Sequence, residues 1–158
     1  MSPRAGLALA AAAAALAPSP ALAADWIMLR DLITLTRIDF IDKDSLRFEN
    51  GEAEAMLYAV FIDDAPSGMA AMEVRYRFDC ARPRGRMLWG RTFDGNQRVR
   101  SEGPINEDWE DIPATNFLTV VRPYACSNGA SPTGTSMGSA HPFAAARTAL
   151  RESRSARR

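Results

Sequence analysis

The stretch Ala71-Met72-Glu73-Val74-Arg75-Tyr76-Arg77-Phe78-Asp79-Cys80 decides the fold class. Met72, Val74, Tyr76, Phe78 and Cys80 alternate strictly with Glu73, Arg75, Arg77 and Asp79. A period of two places successive side chains on opposite faces of a strand, so this is a half-buried strand with an apolar face and a charged face, and Cys80 points inward. Upstream, Ala55 to Ile62 is apolar on both parities, which fits a strand covered on both faces. Asn50-Gly51 separates Ser45–Glu49 from that strand, and Asp94-Gly95 separates Arg86–Phe93 from Gln97–Glu102. Both dipeptides favour the positive φ angles of tight hairpins, so the sheet is expected to be largely antiparallel.

A sheet with a doubly apolar strand needs a cover. After Ile112-Pro113, Phe117, Val120, Val121 and Tyr124 recur at helical spacing, Thr115 or Asn116 can cap the start, and Asn128-Gly129 supplies a stop. Pro123 removes one helical hydrogen bond and is expected to kink or shorten this helix. The fold class is therefore α+β: a curved, mostly antiparallel sheet of about six strands, with a C-terminal helix packed on it and tied by one disulfide.

The disulfide reading depends on where the chain goes. Arg4, the apolar run Gly6–Ala17, Pro18 and Pro20, and Ala21-Leu22-Ala23 follow the order of a secretory signal peptide, with cleavage expected after Ala23. A helix of about 12 residues spans roughly 18 Å, too short for a bilayer core of about 30 Å. No cysteine near the cleavage site offers a lipid anchor. Export into an oxidising compartment makes Cys80 and Cys126 the natural disulfide pair. The periplasm, or the outer surface without a lipid anchor, is the expected location.

The 158 residues carry 19 basic and 19 acidic side chains, but this balance conceals asymmetry. The segment 24–126 holds 13 basic and 18 acidic residues, net −5, and twelve of the 13 aromatic residues. The segment 127–158 holds five arginines and Glu152, net +4. Three parts follow: a signal at 1–23, a β-rich domain at 24–126, and a tail at 127–158. The overall balance lacks the strong positive charge of a nucleic-acid binder. The Ser, Gly, Thr and Ala of 127–140 predict a stretch without fixed structure. Pro142 to Arg154 can form a short basic helix with Phe143, Ala146 and Leu150 on one side, suited to an acidic surface or simply solvated.

Catalytic chemistry is thinly represented. His141 is the only histidine and lies in the tail, and both thiols are paired, so no nucleophilic triad, zinc site or phosphate loop can be assembled. No catalytic, cofactor-binding or metal-binding residue is assigned. The carboxylates Glu107, Asp108, Glu110 and Asp111 around Trp109 read as a solvated approach to the helix, stabilised by its dipole; Asp39, Asp42 and Asp44 read as turn chemistry. A carboxylate hydrolase of cell-wall sugars using pairs such as Glu107 and Asp111, and an inhibitor presenting a loop from Asp63 to Ala70, are the alternative functions. The partner-binding candidates are Arg75, Arg77, Arg82, Arg84 and Arg86, five arginines in a dozen residues that can grip carboxylates or sulfated sugars, or lie on a solvated face partly neutralised by Glu73 and Asp79. Trp26, Trp89 and Trp109 are expected in the core or at its rim.

The order of these features resembles the surface-adhesin protein E family of Gram-negative bacteria. The resemblance runs through Trp26, Phe40-Ile41-Asp42, Ser45-Leu46, the strand ending in Asp79-Cys80, the strand with Trp89 and Phe93, Trp109-Glu110-Asp111-Ile112-Pro113, and Cys126. It spans nearly all of 24–126 and none of the tail. It implies a disulfide-tied sheet and helix, and a non-enzymatic binding module whose partner is a protein or an envelope polymer, with homodimers possible in such proteins and haem binding ascribed to them. This chain departs in lacking the lipid-anchoring cysteine, and in having Ala65-Pro66-Ser67-Gly68-Met69 where basic residues are expected. A haem ligand inside the domain would have to be Tyr58, Tyr76, Tyr124 or a methionine, and no cofactor is assigned.

Overall fold

The computed structural model describes residues 24–29, 36–62, 68–131 and 134–156. The expected signal peptide and most of the loop from Asp63 to Ala70 lie outside the described residues. Among these residues eight strands form an open sheet: β1 (Trp26–Met28), β2 (Arg37–Glu49), β3 (Glu52–Phe61), β4 (Ala71–Asp79), β5 (Arg84–Phe93), β6 (Val99–Pro104), β7 (Glu110–Asp111) and β8 (Thr135–Gly138). Two helices accompany them, α1 (Leu118–Cys126) and α2 (Phe143–Ser155). The strand order is β6-β5-β4-β3-β2-β1-β8, with β7 also paired to β5, and every pairing is antiparallel. The expected α+β fold and disulfide are present. The strand count exceeds about six because β1, β7 and β8 are two to four residues long, below the length at which alternation is legible.

The turns follow local chemistry in one case and depart from it in the other. Asn50 and Gly51 have φ of 53° and 78°, the left-handed pair of a tight hairpin between β2 and β3. At the β5–β6 turn the positive φ falls on Gln97 at 61°, not on Asp94-Gly95. The Asp94 carboxylate explains the shift: its Oδ1 accepts from the amides of Asn96 and Arg98, which organises a longer loop.

The sheet separates two cores. On one side α1 lays Leu118, Val121, Tyr124 and Ala125 over Ile41, Ala53, Ala55, Leu57 and Phe78. The amide of Leu118 donates to Asn116 Oδ1 at 2.9 Å, so Asn116 organises the helix start. Pro123 lies inside α1 yet the helix runs three residues past it to Cys126, and the chain then turns away at Asn128 and Gly129, both at positive φ, with the Gly129 amide donating to the Tyr124 carbonyl. The disulfide Cys80–Cys126, with a Cα separation of 5.6 Å, fastens this end to the sheet.

On the other side α2 buries Phe143, Ala146 and Leu150 with Ile38, Phe40, Tyr58, Val60 and Ala71. The expectation of a structureless segment at 127–140 followed by a solvated tail is corrected by this arrangement. Thr135–Gly138 pairs with β1 as an added edge strand, and Arg147 donates to the Phe61 carbonyl at 2.7 Å. The physical reason lies in the sheet: Ile38 and Val60, at 2% and 0% exposure, leave an apolar second face that the small stripe of α2 can cover. No helix among the described residues is long and apolar enough to cross a membrane.

Candidate functional site

The face of the sheet that carries α2 is covered only at one end. Cross-strand partners share a face, so the register places Met56, Arg75 and Trp89 in one row, Glu54, Arg77 and Arg86 in the next, and Glu52, Asp79 and Arg84 in the last. A bulge between Arg75 and Tyr76 in the β4–β5 pairing brings Trp89 and Arg86, three residues apart, onto the same face. β7 returns along the outer edge of β5 opposite Arg84 and Gly85, so Trp109, one residue before it, lies beneath two guanidinium groups: Arg84 Cζ is 5.1 Å and Arg86 Cζ 4.8 Å from its ring centre.

The five arginines are brought together, but they are not equivalent. Arg77 donates from Nε to Glu54 Oε1 at 2.8 Å and lies 3.7 Å from Glu52. Arg82 and Arg84 each place Nε on Asp79 Oδ2, at 3.0 and 2.9 Å. Arg75 is exposed and meets no carboxylate among the described residues. Arg86 likewise has no carboxylate, rests on Trp109, and holds its buried Nε without a hydrogen-bond partner. Arg91, not among the expected contact residues, donates to Glu73 at 3.0 Å and stacks on Trp89 at 5.2 Å. Trp89 and Trp109 are thus partly exposed platforms for guanidinium groups, a role visible only once the β5 bulge and the β7 pairing are known.

Asp79 fixes the turn beneath this surface. Burial raises its carboxyl, but hydrogen bonds from Arg84, the amides of Ala81 and Arg82, and the Arg82 side chain outweigh it and hold the pKa at about 2. Its backbone carbonyl and that of Cys80 accept from Arg122 of α1, both at 2.8 Å, so the disulfide helix braces the arginine turn. A folded-state pKa below the unfolded value contributes stability above about pH 4 that is lost as the pH falls toward 2. Asp79→Asn is therefore expected to be less stable than the parent at pH 6, with the gap closing between pH 4 and 2; urea midpoints at each pH measure it, and a gap independent of pH would contradict the assignment.

The other carboxylates lie elsewhere. Glu110 and Asp111 form β7 rather than a free approach to α1. Asp39 lies near the start of β2, paired within the sheet and not in a turn: it is buried at 4% exposure, burial raises its carboxyl, and Arg37 Nε pairs with it at 3.0 Å. Asp42 and Asp44 do serve local geometry, the Asp44 amide donating to Asp42 Oδ1 beside the β2 bulge. Tyr58 lies on the α2 side, Tyr76 and Tyr124 on the α1 side, so they do not converge on one site. Among the described residues no three His, Cys, Asp or Glu side chains gather as a metal site. His141 packs its ring 5.0 Å from that of Tyr58 at the start of α2.

An open antiparallel sheet with a helix on each face, and arginines stacked on indoles over its uncovered half, defines the class of this molecule. No family model matches the chain, and neither a curated protein nor a solved structure matches it.

Proposed function

We propose that this protein is an exported, non-enzymatic binding module, resembling surface-adhesin protein E, whose contact surface is the open half of the α2-side face. The supporting observation is that, among the described residues, Arg75 and Arg86 stand there without carboxylates, beside Trp89 and Trp109, while the neighbouring arginines are neutralised. A guanidinium held over an indole is restrained in position, and its terminal N–H groups can donate to an incoming carboxylate or sulfate. The partner chemistry is an acidic protein surface or a carboxylated or sulfated envelope polymer.

The test is a pull-down from envelope extract with the exported chain, tail included, and with the Arg75→Glu, Arg86→Glu variant. The parent is expected to retain a partner in a salt-sensitive manner and the variant to lose at least about tenfold of it, since each reversal replaces attraction with repulsion. Equal retention by a folded variant would defeat the proposal. Release of reducing sugar from cell-wall polymer by the parent, lost in Glu107→Gln, would replace it with the hydrolase.

A further inference from the structure

The opposite face holds a different kind of site. α1 packs there on Ala53, Ala55, Leu57 and Phe78, and over β4, β5 and β6 an open cleft of about 460 Å³ remains, a volume in the range of small-molecule sites. Register explains the gap. Val74, Gly90 and Gly103 are successive cross-strand partners, so two of the three positions in this row carry no side chain. Ile105 folds back over Gly90, where a Cβ would stand 2.7 Å from its Cδ1, whereas a Cβ at Gly103 would meet nothing within 4 Å. The cleft is therefore open over Gly103, and Met72, Val74, Met87 and Ile105 give it an apolar lining. The two methionines make that lining adaptable.

The charges at the border of the cleft are spent on one another. Arg91 donates from Nε to Glu73 Oε2 at 3.0 Å and lies 3.9 Å from Glu102 Oε2. These three residues form one cross-strand row, offset by one residue from Val74, Gly90 and Gly103, so their side chains belong to the arginine-bearing face. The polar group on the face of the cleft itself is a hydroxyl pair. Thr92 and Ser101 are cross-strand partners, both border the cleft, and their oxygens lie 2.7 Å apart. One hydroxyl donates to the other, which leaves the second proton and the remaining lone pairs to meet a ligand.

We propose that this cleft binds a small neutral amphiphile, its aliphatic chain over Val74, Gly103 and Met87 against Ile105 and its single hydroxyl or carbonyl head on the Thr92–Ser101 pair. Thr92 and Met87 are five residues apart on β5, a track of roughly 15 Å at about 3.3 Å per residue, which accommodates an octyl chain. The lining selects the class. An ionic head brought to the hydroxyl pair would shed water without meeting an opposite charge, because Glu73, Arg91 and Glu102 already satisfy one another. The site lies across the sheet from the arginine surface, so it stands or falls independently of the partner proposed there.

The experiment titrates the full exported chain with 1-octanol, octanoate and octylammonium, following backbone amide resonances. Saturable one-to-one binding of octanol is expected, with shifts centred on Met72, Val74, Gly90 and Gly103, and with both ions at least about tenfold weaker. Gly103→Val places a side chain in the open space without a left-handed φ to strain it. A β-branched residue also suits a strand better than glycine, so this variant is expected to melt no lower than the parent while octanol binding falls at least about tenfold. Thr92→Val with Ser101→Ala keeps the apolar lining and removes the hydroxyls, and is expected to weaken octanol about fivefold. Non-saturating shifts, either ion binding as tightly as octanol, or octanol affinity unchanged by Gly103→Val or by the hydroxyl substitutions would each overturn the proposal.

Discussion

A chain ending at Gly138, which keeps all eight strands and loses α2, is expected to unfold at much lower denaturant concentration than the parent and to aggregate. The reason is the face it uncovers. Ile38, Phe40 and Val60, each no more than 2% exposed, would meet water together with Ala70 and Ala71. Large buried apolar side chains contribute about 1.5 to 3 kcal/mol each, so uncovering several consumes much of the roughly 5 to 15 kcal/mol that stabilises a domain. The point variant Leu150→Ala isolates the effect without truncation. Leu150 is 1% exposed, and cutting it back is expected to cost about 3 kcal/mol. Urea unfolding followed by tryptophan emission measures both variants, since Trp26 packs in that core. Melting within the error of the parent would mean that α2 is dispensable.

Breaking the disulfide is the second large effect. Cys80 and Cys126 close a separation of 46 residues, for which the chain-entropy model gives about 4 kcal/mol. The loss is amplified locally because α1 has nine residues, too few to persist without tertiary support, and contains Pro123. Cys80→Ser with Cys126→Ser is expected to lower the unfolding free energy by about 4 kcal/mol and to loosen the turn that Arg122 and Asp79 organise. Reduction of the parent by dithiothreitol should reproduce the double variant. A midpoint unaffected by reduction would remove the disulfide from the account of stability.

The parts of this fold that were legible in the sequence are those whose pattern is local. Strict alternation from Met72 to Cys80 identified β4, and apolar residues on both parities from Ala55 to Ile62 identified β3 as doubly covered. One cover was read from Phe117 to Tyr124. The helical spacing of Phe143, Ala146 and Leu150 is also legible, but a single Phe and Leu do not show that this helix docks; docking follows from the demand of the sheet, not from the helix. β8 gave no sign because Thr135–Gly138 is polar and short, held to β1 through the backbone, with Gly134 at a point where any Cβ would overlap the Met28 carbonyl.

The candidate site divides in the same way. Arg75 and Arg77 were placed on the charged face by alternation alone. That Arg77 is spent on Glu54, whereas Arg75 is not, depends on the β3–β4 register across 23 residues of sequence. That Trp109 lies under Arg84 and Arg86 depends on β7 returning along β5.

The basic C-terminal segment is a structural layer of the domain and not a free appendage, with Phe143, Ala146 and Leu150 buried against β2 and β3. Amide hydrogen exchange across Phe143–Ser155 tests it most directly. Protection through Ala146, Arg147 and Leu150 is expected, and it is expected to be lost together with the protection of β2 and β3 as denaturant is added. Exchange of these amides at the rate of an unstructured peptide, with β2 and β3 still protected, would contradict it.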